Sequence, residues 1–248
     1  MDRELILSLQ GWAERYNTKA FIEHDPVRFP HRFKEKQDIE ISAFLTAWIS
    51  YGRREHILQK AEELHSLMGE SPYHFIRDGE LTFSLLRNRL AQGRDTFYRF
   101  YTYGDLLMLL DRMKDIYERY DSLEDALIAS PSVDPLLSLR QLFEGIRGIP
   151  ALRSVSACKR LAMFLRWMVR RDGIVDLGIW QTVLQPSQLI IPLDTHVHQI
   201  SLRLALTMRK DASLRTAREI TKALLDVFPD DPCLGDFALF GYDINQGK

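Results

Sequence analysis

Ser156-Ala157-Cys158-Lys159-Arg160-Leu161-Ala162-Met163-Phe164-Leu165-Arg166-Trp167-Met168-Val169-Arg170-Arg171 carries the period of an amphipathic α-helix and marks the chain as helical. Cys158, Leu161, Ala162, Leu165, Met168 and Val169 recur at three- and four-residue intervals, the spacing that gathers apolar side chains on one face of an α-helix. Asp172-Gly173 follows, and a glycine at that point predicts the left-handed residue that closes a helix. Between Ala151 and Arg171 the basic residues are Arg153, Lys159, Arg160, Arg166, Arg170 and Arg171, with no acidic residue among them. At about 100° per residue, Arg166 and Arg170 each fall within roughly 20° of Lys159. Arg160, Trp167 and Arg171 form a second stripe beside them.

The same period extends outward along the chain. Ile41, Phe44, Leu45, Trp48 and Ile49 predict one helix, and Leu106, Leu110, Met113 and Tyr117 another. Leu193, Val197, Ile200 and Leu204 predict a further one, as do Ala217, Ile220, Thr221, Leu224, Leu225 and Phe228, stopped by Pro229 and Pro232. Ser122 with Asp125 three residues on is a helix-start signal. Strand signals are thin. Gln188–Leu193 is the one candidate, and Pro192 makes it an extended linker instead. The expected fold is all-α, one compact helical unit over 1–248. Its expected lobes are 39–150, and 1–38 plus 151–248 carrying the basic helix and Asp194. The turn-rich stretches 130–135 and 145–150 are the expected boundaries.

Composition narrows the function classes. The 248 residues are 46% hydrophobic and 27% charged, ordinary values for a globular chain. The longest apolar runs fall far short of the roughly 20 residues a membrane span needs, and Met1-Asp2-Arg3-Glu4 does not open like a secretory signal. Two cysteines are too few for a disulfide framework or a four-cysteine metal or cluster site. A cytoplasmic location, no membrane, no cofactor and no obligate protein partner are therefore expected. A net charge of -1 means that any nucleic-acid contact must come from a local basic patch, which the Lys159–Arg166–Arg170 stripe would supply. The alternative for that stripe is a helix face that merely meets water.

Individual residues admit two readings each. Lys159, at the rim of the apolar face, is a candidate nucleophile or a lysine that snorkels to solvent. Asp194 precedes a predicted helix, so it is a natural N-cap, and a capping carboxylate beside a cleft can also do chemistry. Asp194, His196 and His198 suggest a metal triplet. On a helix, however, residues two apart point about 200° from each other, so no metal is expected.

Ile191-Pro192-Leu193-Asp194-Thr195-His196-Val197 resembles the segment that carries the catalytic aspartate in the helix-hairpin-helix DNA glycosylases. Ser156–Ala162 resembles the start of their lysine-bearing helix. Phe44-Leu45-Thr46-Ala47-Trp48-Ile49-Ser50 resembles the helix before their DNA-inserting loop. The glycine-rich hairpin of those enzymes is not matched. The Lys159–Asp194 separation of 35 residues is similar to that in archaeal-type 8-oxoguanine glycosylases, and Asp236 looks like the late aspartate that holds the flipped base there. The chain also looks like a bacterial family without an assigned function. The glycosylase resemblance implies a two-lobed bundle of helix-hairpin-helix glycosylase type. It implies a base-excision enzyme, with or without AP-lyase activity, that removes an oxidised purine such as 8-oxoguanine from double-stranded DNA. Lys159 would be the nucleophile and Asp194 the carboxylate. Asp236, Trp48, Met163 and Phe240 would hold the base, and Arg53, Arg153, Ser156, Arg160, Arg166 and Arg170 would contact DNA. The alternatives are a non-catalytic nucleic-acid binder of the same fold and a metal-dependent hydrolase.

Overall fold

The computed structural model of the chain describes residues 1–78, 84, 86–88, 96–130 and 132–246. Pro131, inside one expected boundary stretch, lies outside them. The described chain is mainly α-helical, with a single two-stranded sheet among the described residues. None of its helices is long and apolar enough to cross a membrane. It divides into two compact units: Met1–Asp25 with Arg153–Lys248, and Pro26–Leu152.

The Pro26–Leu152 unit is built around the Lys36–Ile49 helix, in which every residue from Asp38 to Ile49 is buried. The expected one-sided stripe is there, but the helix is wrapped on all sides, and Phe44 stacks on Phe143 at 4.0 Å. Two carboxylates inside so buried a helix need partners, and they find them at the starts of neighbouring helices. Glu40 accepts from the Tyr117 hydroxyl (2.9 Å) and from the backbone N–H of Leu123 (2.8 Å), where the Leu123–Ile128 helix begins. Asp38 accepts from the Ser71 hydroxyl (3.0 Å) and the Tyr73 N–H (2.7 Å), at the start of Pro72–Arg77. Helix N-termini favour negative charge, so the central helix anchors two others through its acids. Glu40→Ala should therefore destabilise the protein by about 2–4 kcal/mol, because it strands a buried hydroxyl and N–H donors. A loss under about 0.5 kcal/mol in urea unfolding would contradict that reading.

His65, in the Arg54–Met68 helix, is buried against Phe29 with ring centroids 4.7 Å apart. Its Nδ1 lies 2.7 Å from the Ala61 carbonyl, which can only accept, so Nδ1 carries the proton. Nε2 then accepts from the Ser42 hydroxyl at 2.6 Å. Burial lowers its pKa to about 4, which keeps the ring neutral.

The sheet is a hairpin of Thr96–Tyr98 and Tyr101–Thr102. The residue pattern predicts no strand there. Strands of three and two residues are too short to display an alternating pattern.

In the other unit the core is formed by Leu9, Ala13, Ile191, Leu193, Val197, Ile200, Ala217, Ile220, Leu224, Ala238 and Leu239. The Arg3–Tyr16 helix packs closely on Leu234–Gln246 at Gly241. A Cβ on Gly241 would come 2.5 Å from the Tyr16 ring, so only glycine allows this approach. The basic helix runs Lys159–Val169 and ends before Asp172-Gly173. The N–H groups of Leu177 and Gly178 both reach the Trp167 carbonyl (2.9 and 3.0 Å), and the Trp180 N–H reaches Met168 O at 2.8 Å. The returning chain thus caps the helix, and Gly173 (φ +66°) serves the return turn instead. The segment before Asp194 is extended without a strand partner, pinned where the Ile191 N–H donates to the Thr221 hydroxyl at 3.0 Å.

Candidate functional site

Lys159 and Asp194 meet within the first unit. The Lys159 side chain leaves the first residue of its helix, after Cys158, which takes the left-handed conformation (φ 53°). Ser156 tightens this entry, its hydroxyl accepting from the Cys158 N–H at 3.2 Å. Asp194 caps the Thr195–Arg203 helix: Oδ1 accepts from the Val197 N–H at 2.9 Å. The other oxygen, Oδ2, lies 3.5 Å from Lys159 Nζ. The two roles open for Asp194 are thus filled by different oxygens. About a third of each side chain is exposed, so both can reach a bound molecule.

Behind this pair lies a buried set of charges. Arg166 is 4% exposed and Arg170 1%. Arg166 pairs with Asp236 through Nη1, and its Nε sits 3.3 Å from Asp176. Arg170 holds Asp231 at 2.6 Å, Asp172 at 2.8 Å and Asp176 at 3.0 Å. Its Nη1 also approaches Asn17 Oδ1 at 3.4 Å, and Asn17 donates to Asp172 at 2.7 Å. This corrects the reading of Arg166 and Arg170 as a DNA-contacting face. The stripe shares one side of the helix as the periodicity predicts, but that side faces aspartates from the returning loop and from the start of the last helix.

Asp236, in the first turn of Leu234–Gln246, is likewise engaged by Arg166 rather than free to hold a base. Burial raises its pKa to about 6, with Asp194 pushing the same way and Arg166 and Lys159 opposing. A carboxyl raised in the folded state binds a proton there before it does in the unfolded chain. Its contribution to stability is therefore present at low pH and lost as pH rises through about 6. The stability of wild type relative to Asp236→Asn should rise by on the order of 2 kcal/mol from pH 7 to pH 4. A difference that stays constant across that range would mean the carboxyl titrates normally.

Among the other expected residues, Met163 is half-buried one turn beyond Lys159, and Phe240 is half-buried one turn beyond Asp236. Phe240 packs edge-on against Tyr16 at 5.5 Å and Phe21 at 5.4 Å. Arg153 is exposed and Arg160 half-buried. Trp48 and Arg53 belong to the second unit. Arg53 is exposed at the start of Arg54–Met68. Trp48 is 2% exposed, stacks on Tyr101 at 4.0 Å, and donates its indole N–H to the Arg147 carbonyl at 2.8 Å. It is a core residue, which corrects its assignment to base binding. His196 is exposed, whereas His198 is buried with Nε2 2.8 Å from the Arg209 carbonyl. The two rings diverge as helical spacing requires, and no group of three or more metal-ligating side chains occurs among the described residues.

Sequence reasoning missed Asp172, Asp176 and Asp231 as the partners of the arginines. The available signal was the i, i+4 spacing shared by Arg166–Arg170 and Asp172–Asp176.

Chemically, the arrangement offers a primary amine next to a carboxylate that is fixed by a helix N-terminus and backed by buried ion pairs. No curated protein and no solved structure matches the chain. The family comparison overturns the resemblance to helix-hairpin-helix glycosylases: the match is to a different family and covers nearly the whole chain. Three short segments without the glycine-rich hairpin did not carry that membership. The chain belongs to the family described as "Protein of unknown function (DUF2400)", whose model matches residues 25–245.

Proposed function

We propose that the chain is a DNA base-excision enzyme with Lys159 as nucleophile and Asp194 as the assisting carboxylate, acting on an oxidised purine such as 8-oxoguanine in duplex DNA. The observation that carries this reading is the 3.5 Å approach of Lys159 Nζ to Asp194 Oδ2, with both side chains open to solvent. The finer fold type, a two-lobed bundle of the helix-hairpin-helix glycosylase kind, is part of the proposal.

The chemistry needs few groups. A nucleotide turned out of the duplex presents its sugar C1′. The deprotonated amine of Lys159 forms a bond to C1′ as the bond from C1′ to the base breaks. The base leaves with the electron pair and takes up a proton. Asp194 accepts the proton from the ammonium and balances the positive charge that develops on the sugar. Opening of the sugar ring then leaves a Schiff base on Lys159, the entry to strand cleavage. With Arg166 and Arg170 occupied by carboxylates, the phosphate contacts on this reading come from Arg153, Ser156 and Arg160, and base contacts from Met163 and Phe240.

Borohydride reduces such a Schiff base to a stable amine. A duplex with one 8-oxoguanine should yield a covalent protein–DNA adduct with wild-type protein. Absence of an adduct and of base release across several oxidised purines would sink the proposal.

A further inference from the structure

Arg99 and Phe100 form the two-residue turn of the Thr96–Tyr98/Tyr101–Thr102 hairpin. Both are exposed, Phe100 at 67%. The first turn position needs φ > 0, where glycine, asparagine or aspartate is the inexpensive residue. Arg99 adopts φ 52° instead, so an arginine occupies a strained position that a smaller residue would fill more easily.

Its side chain lies back over the neighbouring loop. The guanidinium is 5.4 Å from the centre of the Tyr51 ring and 5.8 Å from that of Phe100. It covers Gly52, where a Cβ would stand 2.6 Å from Arg99 Nη1. The Tyr51 and Phe100 rings are nearly parallel, 12° apart with centroids 6.1 Å from each other. A reciprocal lock holds them. The Tyr51 hydroxyl donates to the Tyr98 carbonyl at 3.0 Å, and the Tyr98 hydroxyl donates to the Tyr51 carbonyl at 2.9 Å. The Phe100 N–H completes it, donating to the Tyr51 hydroxyl oxygen at 3.3 Å. Arg53 stands exposed on the same loop, one residue past Gly52.

Parallel rings held rigid at the surface, with a guanidinium against them and a further arginine beside them, suit a flat aromatic ligand that carries negative charge. A purely apolar partner would bury those cations without compensation. A strand of nucleic acid offers a π-face for the rings and phosphates for the arginines. We propose that the Tyr51–Arg99–Phe100 face is a stacking platform for an unpaired nucleobase, with Arg53 and Arg99 meeting the adjoining phosphates. It stands on residues separate from Lys159 and Asp194 and does not depend on excision chemistry.

The test compares two fluorescein-labelled single strands, one carrying bases and one a base-free sugar-phosphate strand of equal length, by anisotropy at fixed salt. Wild type should bind the base-bearing strand about tenfold more tightly. Phe100→Ser should erase that difference while leaving the melting temperature unchanged, since the ring is exposed. Arg99→Gly should weaken both strands while leaving the melting temperature equal or higher, because the strained residue is gone. Phe100→Leu keeps apolar area without a π-face and should behave like Phe100→Ser. Equal affinity of wild type for the two strands would overturn the proposal. So would full discrimination in Phe100→Ser, or wild-type behaviour in Phe100→Leu, which would mark the face as a seat for an apolar partner.

Discussion

Lys159→Gln is expected to abolish borohydride trapping on lesion duplex and to leave the fold intact. Glutamine keeps most of the stem but has no amine to attack C1′, so no Schiff base can form. The stability cost should be under about 1 kcal/mol, since the side chain is a third exposed and surface pairs contribute little. Asp194→Asn separates the two oxygens' jobs. Asparagine is as good an N-cap as aspartate, so the bond to the Val197 N–H survives and the melting temperature should barely move. The excision rate should nevertheless fall by roughly 10²–10⁴-fold, the usual worth of a positioned proton-transfer group. Both variants are read by single-turnover base release alongside circular dichroism. Trapping that persists in Lys159→Gln, or full activity in Asp194→Asn, would place the nucleophile or the carboxylate elsewhere.

Arg170→Met should cost far more stability than any change at Lys159. Methionine fills a similar length of buried space, but the guanidinium it removes holds Asp172, Asp176 and Asp231 together. Breaking a buried pair from one side leaves uncompensated charge and typically costs 3–5 kcal/mol, so a loss of about that size is expected here. Arg170→Lys should recover only part of it, because an ammonium cannot reach three carboxylates with the geometry of a planar fork. If Arg170→Met lost less than about 1 kcal/mol in guanidinium unfolding, the aspartates would have to be protonated in the native state. Adding Asp176→Asn to Arg170→Met should then restore nothing, whereas with ionised aspartates it should recover a measurable share.

Helix positions were legible because period and caps agree locally. Ser122 caps through the Asp125 N–H and Asp194 through the Val197 N–H, as their positions ahead of apolar stripes predict. The Lys159–Asp194 approach was not legible from the residues themselves, since nothing in the spacing of residues 35 apart dictates proximity. The faces of the basic helix were legible as geometry and misleading as environment. A stripe of arginines reads the same whether water, phosphate or buried aspartates lie opposite, and the partners at Asp231 and Asp236 come from more than 60 residues away. The burial of Trp48 followed from a helix surrounded on all sides, which one-sided periodicity does not reveal. The hairpin escaped because its strands are too short to alternate, and the Tyr51–Tyr98 lock beside it joins residues 47 apart.

The neutral ring of His65 and the raised carboxyl of Asp236 give the two units opposite responses to acid. His65, lowered to about 4, adds stability that is complete above about 6.5, the ordinary histidine value, and that drains away as pH falls. Asp236, raised to about 6, adds stability over nearly the same interval as pH falls. In a whole-chain melting curve between about pH 4 and pH 6.5 these two contributions have slopes of opposite sign and oppose each other. Hydrogen exchange resolved by segment would show those slopes: amides around Ser42 and Ala61 would open more readily in acid, and amides around Arg166 and Asp236 less readily.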